Sequence, residues 1–216
     1  MKLHRAAAAV LLVVATSAAQ SQVVVINEGF GNVATLAAGG WVLNNASTPL
    51  GTTGWFQGDQ TQFASHAGPA AAYIAANFNN AGPGGTIADY LISPLFSTAL
   101  GGTVSFWARA ADDPAYSDHI AFGLSTGGGT NPATFSLGAP LELGAAWTRY
   151  SFTFAPQGIG ATGRAVVEYL GVADTSNYVG VDSFNVNVVP EPETWALFGL
   201  GLAGLGAWTR RHKAVG

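Results

Sequence analysis

The chain is predicted to be all-β, a jelly-roll-like antiparallel β-sandwich set between two terminal segments that lie outside the fold. Three observations carry this expectation. From residue 22 to residue 188, short apolar runs alternate with period two between clusters of Gly, Pro and Asn, and none sustains a 3.6-residue period. Period two leaves one face buried and one wet, as antiparallel sheets do. Only 9% of the 216 residues are Asp, Glu, Lys or Arg, against roughly 25% in an ordinary soluble chain. Cysteine is absent, so disulfides, thiolate metal sites and cysteine nucleophiles are excluded.

The first element is an address. Met-Lys-Leu-His-Arg opens the chain with two cations, Ala6–Ala15 is an uninterrupted apolar run, and Ser17 and Ala19 supply the small residues a peptidase site needs. That three-part layout is a secretory signal peptide over residues 1–19, with Ser21 as the alternative end. It implies the Sec translocon and signal peptidase as partners.

The sandwich elements follow. Val23–Ile26 is apolar and β-branched. Ala72–Phe78 carries Tyr73, Ile74 and Phe78 and is expected to stop at Asn79–Gly85, a run no strand should enter. Thr103–Arg109 sets Val104, Phe106 and Ala108 against Thr103, Ser105, Trp107 and Arg109. His119–Leu124 groups Ile120, Phe122 and Leu124; Trp147–Phe154 groups Thr148, Tyr150, Phe152 and Phe154. Arg164–Leu170 and Tyr178–Val188 complete the series. So many short strands with no internal repeat make one sandwich domain over 22–188.

The last element is a second address. Val189-Pro190-Glu191-Pro192-Glu193-Thr194 leads into the apolar run Trp195–Trp208, and Thr209-Arg210-Arg211-His212-Lys213 closes it. Fourteen residues make a helix of about 21 Å, short of a hydrocarbon core of about 30 Å unless flanking residues snorkel or the bilayer thins. Arg210 and Arg211 would stay cytoplasmic, which leaves the sandwich outside. Pro190-Glu191-Pro192, the apolar run and the arginine pair together resemble the PEP-CTERM sorting signal of Gram-negative bacteria, over 189–213. The resemblance implies an exosortase as partner and a membrane-anchored precursor. The product would be delivered to the cell surface or extracellular matrix, in the setting of exopolysaccharide and biofilm. A plain, unprocessed membrane anchor is the alternative.

A second resemblance rests on the order of short segments through the sandwich. Asn27-Glu28-Gly29-Phe30, Gly40-Trp41, Trp55-Phe56-Gln57-Gly58, Ile87-Ala88-Asp89-Tyr90-Leu91-Ile92-Ser93-Pro94, Val104-Ser105-Phe106-Trp107, Trp147-Thr148-Arg149-Tyr150 and Gly180-Val181-Asp182-Ser183-Phe184 follow in series. The order is similar to the choice-of-anchor J domain, a relative of the cleaved adhesin domain. It implies a jelly roll that is extracellular, non-catalytic, used for adhesion or glycan contact, and often stabilised by calcium.

The charge distribution narrows the chemistry. Five of the eight cations sit at the two ends, leaving Arg109, Arg149 and Arg164 against all twelve acids. A section so acidic does not seek phosphate backbones, so nucleic acid is excluded. Gly123-Leu124-Ser125-Thr126-Gly127 matches a nucleophile elbow, but the glycines after it cannot start the helix an elbow requires. Gly199, Gly201 and Gly204 match a dinucleotide fingerprint inside the apolar tail, where no strand precedes them. Asn45-Ala46-Ser47 is a formal glycosylation sequon.

A secreted glycosidase is the competing function. It needs two carboxyls across a cleft, and Glu168 with Asp174 is the candidate pair, beside the crowded Asp112, Asp113 and Asp118. For a structural Ca²⁺, Glu28 in the first strand and Asp182 in the last are the candidate ligands, because terminal strands of a sandwich commonly pair. Asp182 is expected on the buried face with Phe184 and Val186, and backbone amides are the alternative partners for its charge. Trp41, Trp55, Trp107 and Trp147 are either core or stacking platforms for a neutral glycan, with Trp107 and Trp147 on the polar faces of their strands.

Overall fold

The computed structural model describes residues 23–189. The signal peptide, the sorting residues Pro190, Glu191, Pro192, Arg210 and Arg211, and the apolar run Trp195–Trp208 lie outside the described residues. No helix among the described residues is long and apolar enough to cross a membrane.

Fourteen strands build the domain: β1 Val23–Glu28, β2 Val42–Asn45, β3 Thr48–Leu50, β4 Phe56–Gln57, β5 Ile74–Asn77, β6 Ala81–Ile92, β7 Phe96–Ser97, β8 Gly102–Ala110, β9 His119–Thr126, β10 Phe135–Leu137, β11 Leu141–Glu142, β12 Thr148–Phe154, β13 Thr162–Val172 and β14 Tyr178–Val188. One sheet runs β12-β8-β14-β5-β4, with β1 also on β14; the other runs β10-β9-β13-β6-β2, with β11, β3 and β7 as short additions. Every pairing is antiparallel. The all-β sandwich expectation holds.

The alternation read from the sequence decides what fills the space between the sheets. Val104, Phe106 and Ala108 of β8 face Ile87 and Leu91 of β6 and Val167 and Tyr169 of β13, all in one buried cluster. Phe30, Trp41 and Phe184 close it, Trp41 meeting the other two rings edge-on at 5.4 and 5.1 Å. Burial of each such side chain contributes about 1.5–3 kcal/mol, enough for stability without a disulfide. A smaller cluster of Phe63, Tyr73, Ala75 and Tyr178 lies outside the first sheet, where residues 58–73 fold back over it.

Two expectations fail, each for a local reason. The glycine-rich run 81–85 is not excluded from the sheet but begins β6. There β6 pairs only with the irregular β3, an edge where the missing N–H of Pro83 costs little. Gly82 and Gly85 belong there because a Cβ would come within 2.9 Å of the Pro49 ring. Secondly, Asp182 does not share a face with Phe184 and Val186. A bulge between Asp182 and Asn185 inserts one residue, with Ser183 at φ 51°. One extra residue inverts the period-two assignment of everything before it. Val179 and Val181 therefore face the core along with Phe184 and Val186, and Asp182 stands on the outer face in register with Trp107.

The antiparallel order gives the sandwich two unlike ends. At one, Val23 is in register with Val188, Val188 with Gly102, and Gly102 with Phe154, so the described chain begins and finishes together. The opposite end is formed by the loops after β8, before β12 and after β13.

Candidate functional site

The end remote from the two termini carries most of the loop acids. After β8 the chain turns at Asp113, whose Oδ1 accepts the Ala115 N–H at 3.1 Å. The turn lifts Tyr116 outward, leaving it 43% exposed. Ser117 ties the loop down by donating its N–H to Thr175 O (2.9 Å) and its hydroxyl to Glu142 Oε1 (3.0 Å).

Asp118 fixes the floor. It is buried and accepts from the Tyr169 hydroxyl at 2.7 Å, Asn177 N–H at 2.8 Å and Tyr178 N–H at 3.3 Å. One carboxylate thus joins the loops after β8 and β13. Burial, aided by the Asp118 charge, pushes the Tyr169 hydroxyl far above the usual tyrosine range, so it stays a donor.

Phe78 reaches the same place from the other side. Asn77 caps a short 3-10 turn by accepting the Asn79 N–H at 3.0 Å, while the Asn80 side chain accepts the Asn77 N–H at 3.4 Å. Phe78 N–H then bonds Asn177 O at 3.0 Å, and its ring is left 43% exposed. Between Phe78 and Tyr116 lies a cleft of about 320 Å³, completed by Ala173, Asp174 and Ser176. Asp174 is held by the Gly84 N–H at 2.8 Å. A second cavity of about 180 Å³, lined by Asp112, Asp113, Asp118 and Leu143, opens on the other side of Tyr116. Two exposed rings with the exposed Asp174 carboxylate beside them provide apolar stacking faces and a fixed hydrogen-bond acceptor, the two things a sugar ring presents surfaces for.

The carboxyls whose acidity is weakened lie elsewhere. Burial raises Asp89 to about 7. It also raises Glu168, against the opposing effect of a hydrogen bond from Tyr90, and Asp182, against amides that include Ala67 and Ser183. The glycosidase pair is not brought together. Glu168 lies within β13 in register with Tyr90 and Ala121, whereas Asp174 lies beyond the strand's end, bound to Gly84.

The calcium pair is separated too. β1 and β14 do pair as expected, but Glu28 is in register with Phe184 on the inner side, while the bulge turns Asp182 outward. Glu28 Oε1 accepts the Phe30 N–H at 2.7 Å, and Asp182 Oδ2 accepts the Ala67 N–H at 3.0 Å. Ser125 is fully buried, its hydroxyl donating to Gly129 O, and a glycine turn rather than a helix follows it. Asn45 spends its side-chain amide on Thr53 O and Asn80 O, both at 2.8 Å.

Trp41 and Trp55 are core. Trp107 is half-buried under His66, whose ring stacks on it at 3.9 Å, and Trp147 donates its indole N–H to Ala64 O at 2.9 Å. The open rings are instead Phe78 and Tyr116, which sequence reasoning did not single out. Tyr116 had a readable signal: it is the lone aromatic in the acidic, Pro-containing stretch 112–118. Phe78 had none, because it looked like the end of a strand.

These strands define an all-β antiparallel sandwich. The structure is similar to the K1 cleaved adhesin domain of Lys-gingipain from Porphyromonas gingivalis W83, with a TM-score of 0.57 at 19% identity, over 74% of this chain and 96% of that one. The K3 cleaved adhesin domain of the same protein gives a TM-score of 0.53 at 18% identity, over 76% and 98%. At such identities the likeness is one of fold. The chain's C-terminal address is matched directly: residues 188–211 fit the PEP-CTERM protein-sorting motif. No curated protein matches the chain in sequence.

Proposed function

We propose that the chain is an exported, non-catalytic surface protein, sorted through its C-terminal signal, whose cleft between Phe78 and Tyr116 holds a glycan. Signal peptidase removes residues 1–19 after Sec translocation. The tail holds the precursor in the inner membrane until an exosortase acts on it, and the domain reaches the cell surface or exopolysaccharide matrix of a Gram-negative bacterium. The sorting motif at 188–211 supports the export half of this reading. The order of segments through 22–188 supports a domain of the choice-of-anchor J type.

One observation carries the binding half. Two exposed aromatic rings border a cleft of about 320 Å³ whose other lining includes Asp174 and Ser176. The surroundings add Asp112, Asp113 and Glu142, so the site repels acidic polymers and favours neutral or amine-bearing sugars. Affinity electrophoresis of the domain in gels containing neutral polysaccharides tests it. Tyr116→Ala and Phe78→Ala should each weaken retardation about tenfold, equivalent to about 1.4 kcal/mol. Uronate polymers should bind only weakly at low salt. Release of reducing ends from a bound glycan would replace this reading by the glycosidase.

A further inference from the structure

We infer that the end of the sandwich where the described chain begins and finishes is a lipid-contact surface, seated on the bilayer that holds the precursor's tail. The inference rests on the membrane-anchored precursor proposed above.

Tether length is the first argument. Val189 is fixed to the body by its N–H bond to Gly101 O at 3.0 Å. Five residues, Pro190–Thr194, separate it from the apolar run at Trp195. Six backbone steps reach at most roughly 22 Å, and the headgroup layer takes up part of that. β14, 11 residues long, spans about 36 Å at roughly 3.3 Å per residue. The tether is shorter than the body, so the end bearing Val189 stays against the membrane and the Phe78–Tyr116 end is held away.

Surface chemistry is the second argument, and it is independent. Ile159 is 91% exposed, the most open large apolar side chain of the domain. Its loop is fastened to this end, with Gln157 N–H on Thr98 O (3.1 Å) and Gly158 N–H on Ala99 O (3.3 Å). Leu95 (52%) and Val24 (54%) are exposed nearby, Leu95 just before β7 and Val24 in register with Asn187. Loops 93–101, 127–135 and 155–162 contain no Asp, Glu, Lys or Arg. Among the described residues the charged group at this end is Arg164, which donates to Gly128 O, Gly40 O and Ser93 O and ties three segments together; Glu191 and Glu193 belong to the tether that leaves it. Exposed apolar groups on loops without charge suit the bilayer interface, whereas anionic headgroups would repel the acidic loops at the other end.

The absence of cysteine makes the test clean. Full-length chain carrying Ile159→Cys or Ala115→Cys is labelled with an environment-sensitive dye and reconstituted in phosphatidylcholine–phosphatidylglycerol vesicles, with and without brominated acyl chains. The dye at 159 should be quenched by brominated lipid at least threefold more than the dye at 115, and shielded from aqueous iodide. Adding Leu95→Asp should cut the quenching at 159 by half or more. Equal lipid quenching and equal iodide access at both positions, in protein that co-floats with vesicles, would overturn the docking alone. Failure to co-float would overturn the tail reading and the docking together.

Discussion

The two ends of this sandwich are made by the same strands and differ in nearly everything else. One holds Asp112, Asp113, Asp118 and Asp174 in its loops and Glu142 in β11; the other holds Ile159 and Leu95 and loops without a charged residue. Each is fastened by one charged group. Asp118 gathers donors at the acidic end, and Arg164 gathers carbonyls at the apolar end. The contrast teaches how a charge-poor chain divides labour. The two sheets and the buried cluster between them supply the body, so the loops are free to suit different neighbours.

The contrast breaks hardest at its fasteners. Asp118→Ala strands a buried hydroxyl and a buried amide, each costing about 1–3 kcal/mol, and a half-buried amide that water can reach, so a loss of roughly 3–5 kcal/mol is expected. At roughly 2–4 °C per kcal/mol for a domain of this size, the melting midpoint should fall by about 10 °C. Arg164→Ala should cost about half as much, because loop carbonyls can turn to water. Calorimetry of the two variants decides; equal losses would mean that the ends are fastened alike.

A smaller effect concerns pH. Asp89 is fully buried, with Oδ2 accepting from the Asn80 amide at 2.6 Å and Oδ1 unpartnered. Burial raises it from 3.8 to about 7, so the folded state holds a proton that the unfolded chain has lost. Stability is therefore fully present below about pH 4, declines as pH rises toward 7, and is flat above that. At 1.36 kcal/mol per unit the loss is at most about 4 kcal/mol. Asp89→Asn should remove the larger part of the decline, leaving the part due to Glu168 and Asp182, and leave the protein more stable than wild type at pH 8. A denaturant midpoint that falls between pH 5 and 7 as steeply in the variant as in wild type would sink this account.

The smallest expected effects sharpen the contrast most. Tyr116→Ala and Ile159→Ser remove exposed side chains and should each change stability by under about 0.5 kcal/mol. The first should impair glycan retardation and spare membrane contact; the second should do the reverse. A large stability loss in either variant would show that residue to be structural.

Much of the fold was legible in the residues. Thr103–Arg109 alternates so regularly that its buried face could be listed beforehand, and Val104, Phe106 and Ala108 are buried as read. The C-terminal address was legible for the same reason, since it is a linear order of residue types. The cleft was not. Phe78 and Asp174 are brought together by an asparagine-capped turn and by the Gly84–Asp174 bond, which spans 90 residues.

The sequence by itself determined the sandwich class, the strand faces and the sorting tail, because these depend on period and local order along one chain. The tertiary structure alone decided which carboxylates and rings meet. A single extra residue at Ser183 carried Asp182 to the other side of its sheet and separated it from Glu28, and His66 closed over Trp107. Period two is a relative rule: it fixes neighbours with respect to each other, and a bulge resets it without leaving a mark in composition. Contacts across tens of residues follow from the geometry of closure, and only the folded chain contains that geometry.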